Sequence, residues 1–469
     1  MSLPRHIHFI GVCGTGMAAA AALMKESGYQ VTGSDMGVYP PMSHFLEEQG
    51  IPFATTFDPS HLMPSPGLVV IGNAVSRGNP EVEELLDLKI PYVSLPELLK
   101  TELIQGKRSL VIAGTHGKTT TTSLLAWVLE SCGRDPSFFV GGVPLNFGKG
   151  IRRGRGSEVV LEGDEYDTAF FDKRPKFLHY LPDLAILNNI EFDHADIYPD
   201  IDAIERAFES LQKLIPRRGL IVANMDNPTV GQVVKSAFTP IEGFGLDSNA
   251  PWRAADIKPD PEGTAFSLYH HGHLVDRFHL PLMGSHNVLN AVAVFVTCQW
   301  LGLTSREIER GFRLFRGVKR RLEKKGTFQD VILFDDFAHH PTAISATLSA
   351  LNDHYPGRPI WAVFEPRSNT TRRNYFQKQL VGSFRWASEV VIGAVHRANS
   401  IDIKDRLDPN ALSKDIEREL SCRASYIPEV EDIVAFLCSN VREREIVVIM
   451  SNGGFGGLME KLMKGLANR

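Results

Sequence analysis

The heptapeptide Gly114-Thr115-His116-Gly117-Lys118-Thr119-Thr120 constrains this chain most, because an apolar run, Ser109-Leu110-Val111-Ile112-Ala113, precedes it and a helical pattern follows. A strand that passes through a glycine turn into a helix aims the helix's first backbone N–H groups, and the positive end of its dipole, at whatever sits on the turn. Phosphate oxygens suit that place. Lys118 would reach the outer phosphates and the Thr119 hydroxyl would ligate Mg²⁺. The full GxxxxGK[ST] pattern is not met, since Ile112 stands at its first glycine. Oxygen-rich residues follow in the same segment: Asp164-Glu165 after the expected strand 158–162, then Asn189, Glu191, Asp193, His194 and Asp196 after the expected strand 183–188. Mg²⁺ takes a few carboxylates beside phosphate oxygens, so Glu165 is a ligand candidate.

A second unit of the same kind opens the chain. Residues 7–12 read as a buried strand, Gly11, Gly14 and Gly16 form a glycine turn, and the Ala-rich stretch 18–22 forms a helix. The next strand, 30–34, ends at Asp35, and 68–71 supplies another. This GxxGxG spacing differs from the GxGxxG of dinucleotide sites. Taken alone, with Asp35 on a ribose, it allows a dinucleotide-dependent oxidoreductase, which leaves Lys118 without a role. A nucleoside diphosphate meets the same physics, so the chain is expected to bind two phosphorylated ligands. The βα alternation continues at 219–223, and a third series runs through 331–334, 359–364, 389–392 and 446–450. The stretch 239–265, with its Pro and Gly residues, reads as hairpins and loops. At about 150 residues per domain, 469 residues make about three units. The boundaries fall at 1–106, 107–318 and 319–469, and the fold class is α/β with parallel sheets.

Fifty Lys and Arg against 55 Asp and Glu give a net charge of -5, which argues against binding governed by nucleic-acid phosphates or anionic lipid and leaves room for local basic pockets. No apolar run reaches the roughly 18 residues of a membrane span, and Met1-Ser2-Leu3-Pro4-Arg5 lacks a basic leader. The five cysteines (Cys13, Cys132, Cys298, Cys422, Cys438) form no CxxC pair, so a reduced, cytoplasmic setting is expected.

The residues resemble the ATP-dependent muramyl ligases of peptidoglycan synthesis over essentially the whole chain. The marks are Gly114 to Thr120, Asp164-Glu165, Asn189 with His194, His286-Asn287-x-x-Asn290, Arg321, and Asp335-Asp336-Phe337-Ala338-His339-His340-Pro341. The resemblance implies a Rossmann-like UDP-sugar domain, a central P-loop ATPase-type domain and a Rossmann-like C-terminal domain. It implies ATP and Mg²⁺, an acyl phosphate formed on the muramate carboxylate, and attack by an incoming amine. Gly11, Gly14, Gly16, Asp35 and Asn73 would hold the UDP-sugar. Asn287, Asn290, Arg321, Asp336 and His339 would join the Gly114–Thr120 loop around ATP, and His194 would serve a second metal. Lys118, Glu165, His194, Arg321 and Asp336 would form the catalytic set. Some members carry a carbamylated lysine where this chain reads Glu205-Arg206-Ala207-Phe208-Glu209, without a lysine.

Within the family, the segments 164–174, 191–196, 365–370 and 450–457 look most like those of members that join UDP-N-acetylmuramate to L-alanyl-γ-D-glutamyl-meso-diaminopimelate. Members that add free L-alanine are the alternative. A tripeptide with several carboxylates needs cationic forks and backbone donors. Arg367 and Asn369 follow the strand 359–364, at the strand end where open α/β sheets bind ligands, and Asn452-Gly453 open a glycine-rich loop after another strand. Neither His339-His340 nor His270-His271-x-His273 carries the pattern of a zinc site, and none is expected.

Overall fold

The computed structural model describes residues 6–38, 42–247 and 249–469, so the stretch Met1 to Arg5 lies outside the described residues. Two compact units are present: Met1–Glu191 with Ile201–Arg253 and Val292–Gly311, and Phe192–Asp200 with Ala254–Ala291 and Phe312–Arg469.

The first unit holds two parallel arrays. In the first, the order is Phe53–Ala54, Gln30–Ser34, His6–Ile10, Leu68–Ile71, Tyr92–Ser94, every pair parallel. In the second, Ile241–Gly245, Leu220–Asn224, Leu184–Leu187, Arg108–Ala113, Glu158–Gly163 and Ser137–Phe139 are parallel neighbours, with Ile151–Arg152 antiparallel at the edge. Leu68–Ile71 and Leu184–Leu187 are buried at every residue, which is why strands covered on both faces read as unbroken apolar runs. The glycine loops leave the centres of these arrays, at the carboxyl ends of His6–Ile10 and Arg108–Ala113.

The stretch 239–265 differs from expectation at its start. Ile241–Gly245 is a parallel strand beside Leu220–Asn224, and only then come the neighbouring strands Trp252–Asp260 and Gly263–His270. Its glycines mark close approach instead of a turn: a Cβ at Gly243 would stand 2.7 Å from the Met225 side chain.

In the second unit Gly263–His270 pairs antiparallel with His273–Leu280. His271 and Gly272, both at positive φ, make the tight turn between them, which places the His270–His273 tract in a hairpin tip. A six-stranded sheet follows in the order Glu323–Phe328, Val331–Asp336, Ile446–Met450, Ile360–Phe364, Glu389–Ile392, Arg423–Tyr426, parallel except for the first. Alternate residues face opposite layers. Phe334, Ala362, Phe364 and Ile392 pack with Ile344, Leu348, Leu380 and Ile416, while Leu333, Trp361, Val363 and Val391 pack with Ile433, Leu437, Leu458 and Leu462. Helices thus cover both faces, and the loops after the parallel strands are left to carry chemistry.

Candidate active site

The helix Lys118–Ser131 begins at Gly117, whose φ of +80° suits glycine. Gly114 sits at φ +132°, where a Cβ would come within 2.9 Å of the Asn189 carbonyl, so the turn is pressed against the next loop. That loop holds it in place: Thr115 N donates to the Asn189 carbonyl at 3.0 Å and His116 N to Asn189 Oδ1 at 2.7 Å. Thr115 Oγ1 exchanges bonds with the Glu191 backbone, and His116 lies 3.4 Å from the Glu191 carboxylate. Thr120 is buried in the first helical turn.

Lys118 Nζ donates to Glu165 Oε2 and to the Gly114 carbonyl, both at 2.7 Å. Burial works against its charge, but Glu165 and Asp164 outweigh it and hold the ammonium above its ordinary pKa. It is a fixed cation at a helix N-terminus. Thr119 Oγ1 donates to Glu162 Oε1 at 2.7 Å, and Gly141 N donates to Glu162 Oε2 at 2.6 Å. Glu162 was not singled out by the sequence reading. The signal for it is an acid inside the strand Glu158–Gly163, where every residue is buried and a carboxylate needs a reason. Thr119, Glu162 and Glu165 together are an all-oxygen donor set, the chemistry that suits Mg²⁺.

The first glycine loop is held by backbone and by one acid. Gly11 N and Val12 N donate to the Ser34 carbonyl at 2.8 and 3.1 Å, and Asp35 Oδ2 accepts from Cys13 N at 2.9 Å. Gly14 caps the helix Thr15–Glu26 without a side-chain bond, so its N-terminal N–H groups are not consumed by a cap. Gly16 packs tightly, since a Cβ there would stand 3.2 Å from Leu95 and Phe139. Asn73 Nδ2 donates to the Asp167 carbonyl and, at 3.2 Å, to Asp167 Oδ1.

In the second unit, Asp336 ends the strand Val331–Asp336 and is buried. Its carboxylate accepts from Leu322 N at 2.5 Å and Ala338 N at 2.7 Å, and burial pushes its pKa up. Arg321 lies 4.6 Å over the Phe337 ring, and His339 Nδ1 is 3.0 Å from the Phe337 carbonyl. His340 caps the helix Pro341–His354 through Thr342 N, and its Nε2 is 3.2 Å from the Phe192 carbonyl. Asn290 Nδ2 donates to Asn287 Oδ1 at 3.2 Å, which confirms a shared helical face, and Asn287 Nδ2 donates to the Met283 carbonyl at 2.8 Å.

His194, at φ +53°, belongs to the segment Phe192–Asp200 of this unit. Its neighbour Asp193 accepts from His194 N at 2.7 Å and from Thr370 Oγ1 at 2.6 Å, with His339 Nε2 at 3.9 Å. Burial opposes ionisation there, but His194 and His339 outweigh it and hold the Asp193 carboxyl well below its usual range. Asn369 Nδ2 donates to Asp196 Oδ2 at 2.8 Å, so two bonds tie this segment to the loop after Ile360–Phe364. Asp193 was expected only as one of the oxygen-rich residues after the strand 183–188, and Thr370 only as part of the segment 365–370, neither with a role. In that same loop Arg367 Nη1 lies 3.4 Å from Glu365 Oε1, and Ser451 Oγ donates to Glu365 Oε2 at 2.5 Å. Arg320, passed over in favour of its neighbour, donates 2.6 Å bonds to the carbonyls of Ser451 and Gly453, and so shapes the glycine-rich loop. Asn452 Oδ1 is buried there without a hydrogen-bond partner.

Matches to known proteins extend along the chain. The description "Mur ligase family, catalytic domain" fits residues 6–107, "Mur ligase middle domain" residues 112–298, and "Mur ligase, glutamate ligase domain" residues 320–453. The UDP-N-acetylmuramate–L-alanyl-γ-D-glutamyl-meso-2,6-diaminoheptandioate ligase of Haemophilus influenzae is 39% identical over 463 residues, covering 98% of each chain. The UDP-N-acetylmuramate–L-alanine ligase of Geotalea uraniireducens is 32% identical over 460 residues, again 98% of each. A crystal structure of a murein peptide ligase from Psychrobacter arcticus superposes with a TM-score of 0.74 at 35% identity, covering 99% of both chains.

Proposed function

The chain belongs to the Mur ligase family, and from that premise we propose that it joins L-alanyl-γ-D-glutamyl-meso-diaminopimelate to UDP-N-acetylmuramate at the expense of ATP, in peptidoglycan recycling. The observation that carries the chemistry is Lys118, a buried ammonium at a helix N-terminus bonded to Glu165 and flanked by the Thr119–Glu162 pair. For the acceptor, the support is 39% identity to a tripeptide ligase against 32% to an L-alanine ligase, each across 98% of the chain.

The reaction needs a carboxylate and a triphosphate, both anionic, brought together in line. Lys118 and the N–H groups after Gly117 would draw charge from the γ-phosphoryl group as it passes to the muramate oxygen. The peptide's unprotonated amine then attacks the acyl phosphate; the C–N bond forms, the C–O bond breaks, phosphate leaves with its electron pair, and the proton lost by the amine ends on that phosphate. Thr119, Glu162 and Glu165 would hold Mg²⁺, which neutralises phosphate charge when bound, and His194 would serve a second ion. Asn287, Asn290, Arg321, Asp336 and His339 would complete the ATP site, and Gly11, Gly14, Gly16, Asp35 and Asn73 the UDP-sugar site. Arg367, Asn369, Asn452 and Gly453 would face the peptide. We place the domain boundaries at 106/107 and 318/319. ATP and a UDP-sugar as substrates locate the reaction in the cytoplasm, and no helix among the described residues is long and apolar enough to cross a membrane.

Phosphate release from ATP with UDP-N-acetylmuramate and either the tripeptide or free L-alanine tests the reading. Release with the tripeptide is expected; preference for free L-alanine overturns the acceptor assignment and leaves the ligase chemistry standing.

A further inference from the structure

The strands Ile360–Phe364 and Glu389–Ile392 are parallel neighbours, and the loops that leave their carboxyl ends are laced together. His396 N donates to the Pro366 carbonyl at 3.0 Å and Leu407 N to the Arg372 carbonyl at 3.0 Å. The result gathers five arginines on two loops: Arg367, Arg372 and Arg373 on one, Arg397 and Arg406 on the other. Of these five arginines only Arg367 has an ion pair among the described residues, with Glu365 at 3.4 Å.

Arg372 is the unusual member. Its terminal nitrogens are given to neutral acceptors: Asn369 Oδ1 at 2.6 Å, Ser400 Oγ at 3.3 Å and the His396 carbonyl at 3.4 Å. Its Nε is buried without a partner. Arg372 is half-buried, with one guanidinium nitrogen enclosed and unpaired and no carboxylate within ion-pair distance among the described residues, an arrangement that an anion would complete. Burial, followed by the fields of Arg373, Arg397 and Arg367, lowers the pKa of this guanidinium, with Asp196 only partly opposing. The same field and burial lower that of His396. His396 stands between two guanidiniums, its Nδ1 3.3 Å from Arg367 Nη1. Since arginine can only donate, Nδ1 accepts, and the neutral ring carries its proton on Nε2 as one more donor. Gly453 keeps Arg367 in place: a Cβ there would fall 1.9 Å from Arg367 Nε.

We propose that Arg372, Arg397 and His396, beside Arg367, form the subsite that takes the carboxylates at the diaminopimelate end of the tripeptide. This rests on the tripeptide-ligase reading and deepens it. A planar carboxylate matches the guanidinium fork, and two carboxylates on one residue match a cluster better than a single arginine. Free L-alanine has no distal carboxylate to place there, so the subsite sets specificity for the longer acceptor.

Steady-state kinetics with two acceptors decide the proposal: the tripeptide, and the same peptide with both diaminopimelate carboxylates converted to carboxamides. Wild type is expected to show a KM about tenfold higher for the amidated peptide. Arg372→Met should raise the KM for the free tripeptide by about tenfold and leave that for the amidated peptide unchanged, so that discrimination is lost. Unchanged KM values for ATP and UDP-N-acetylmuramate would show that this variant is folded. Arg397 is exposed, so Arg397→Ala has little structure to lose, and it should raise the tripeptide KM by a smaller factor. The subsite is overturned if wild type uses the tripeptide yet treats both peptides alike, or if Arg372→Met keeps the wild-type ratio or weakens both peptides equally. A wild type that uses only free L-alanine overturns the underlying reading and the subsite with it.

Discussion

The two glycine loops of the first unit share one local device and differ in the residues around it. Both follow a central parallel strand, and both open a helix whose first N–H groups face the turn. The loop at 11–16 contains no charged residue, and its anchors are the Ser34 carbonyl and the Asp35 carboxylate, both bonded to loop N–H groups. The loop at 114–119 adds Lys118 and backs it with Glu162, Asp164 and Glu165. A diphosphate that is only held needs donors and a shape. A triphosphate that must react needs, in addition, a cation that stays charged and oxygens for a metal. On the proposed assignment, the difference between holding and reacting lies in the residues around the turn and not in the turn.

Lys118→Met breaks the comparison most severely, since it removes the one cation that the first loop lacks and leaves the acids behind the second loop unpaired by it. Turnover should fall by roughly 10²-fold or more while UDP-N-acetylmuramate still binds. Titration calorimetry with the sugar nucleotide beside phosphate-release kinetics checks both halves, and near-native turnover would falsify the role given to the loop. Glu162→Gln sharpens the same point. It keeps an acceptor for Gly141 N and removes charge behind Thr119, so the Mg²⁺ concentration for half-maximal rate should rise by about tenfold. An unchanged Mg²⁺ dependence would leave Glu162 as a structural partner of Thr119 and Gly141 with no part in holding the metal.

Gly14→Val tests the other side. A Cβ at Gly14 meets nothing closer than 3.7 Å, so the first carbon of a side chain finds room there, while added bulk intrudes on a ligand lying on the loop. The Kd for UDP-N-acetylmuramate should rise by about tenfold with the KM for ATP unchanged. Loss of ATP affinity with intact sugar-nucleotide binding would exchange the roles of the two loops.

How much of this was legible in the sequence follows from what sequence patterns encode. Strand–turn–helix units declare themselves through apolar runs and glycines, so both loops and the strands 30–34, 68–71 and 389–392 stand where expected. Lys118 and Glu165, read separately, meet at 2.7 Å. Glu162 and Arg320 were missed, and Asp193 and Thr370 were given no role, because their importance lies in a partner: Thr119 for Glu162, the carbonyls of Ser451 and Gly453 for Arg320, and each other for Asp193 and Thr370. Those partners are 43, 131 and 177 residues away in sequence for the Glu162, Arg320–Ser451 and Asp193 bonds, and no local pattern carries such pairing. Ile241–Gly245 was missed for the opposite reason. Its glycines speak locally for a turn, and only the Met225 side chain packed against Gly243 and the Asp226 carboxylate against Gly245 explain them.

The smallest effect lies beneath the first loop. Glu81 is fully enclosed, yet its carboxylate accepts from Ser34 Oγ at 2.5 Å and Asp58 N at 3.2 Å, with His61 Nδ1 at 2.6 Å and His8 Nε2 at 3.6 Å. Through Ser34, whose carbonyl holds Gly11 and Val12, it braces the strand end that carries Asp35. Burial pushes the Glu81 pKa up, but the bonds from His8, Ser34 and His61 outweigh it, and the folded-state value lies below the ordinary one. A carboxyl whose pKa is depressed by folding adds stability above its unfolded pKa, and that stability is lost as pH falls through the folded value. Glu81→Gln keeps the shape and removes the charge. It should therefore cost about 1 kcal/mol at neutral pH, and the cost should shrink in acid, where the wild-type carboxyl is protonated as well. Urea unfolding of both proteins between neutral and acid pH measures it. A difference that stayed constant down through the carboxylate range would mean that Glu81 braces the loop by packing, and that its charge contributes nothing.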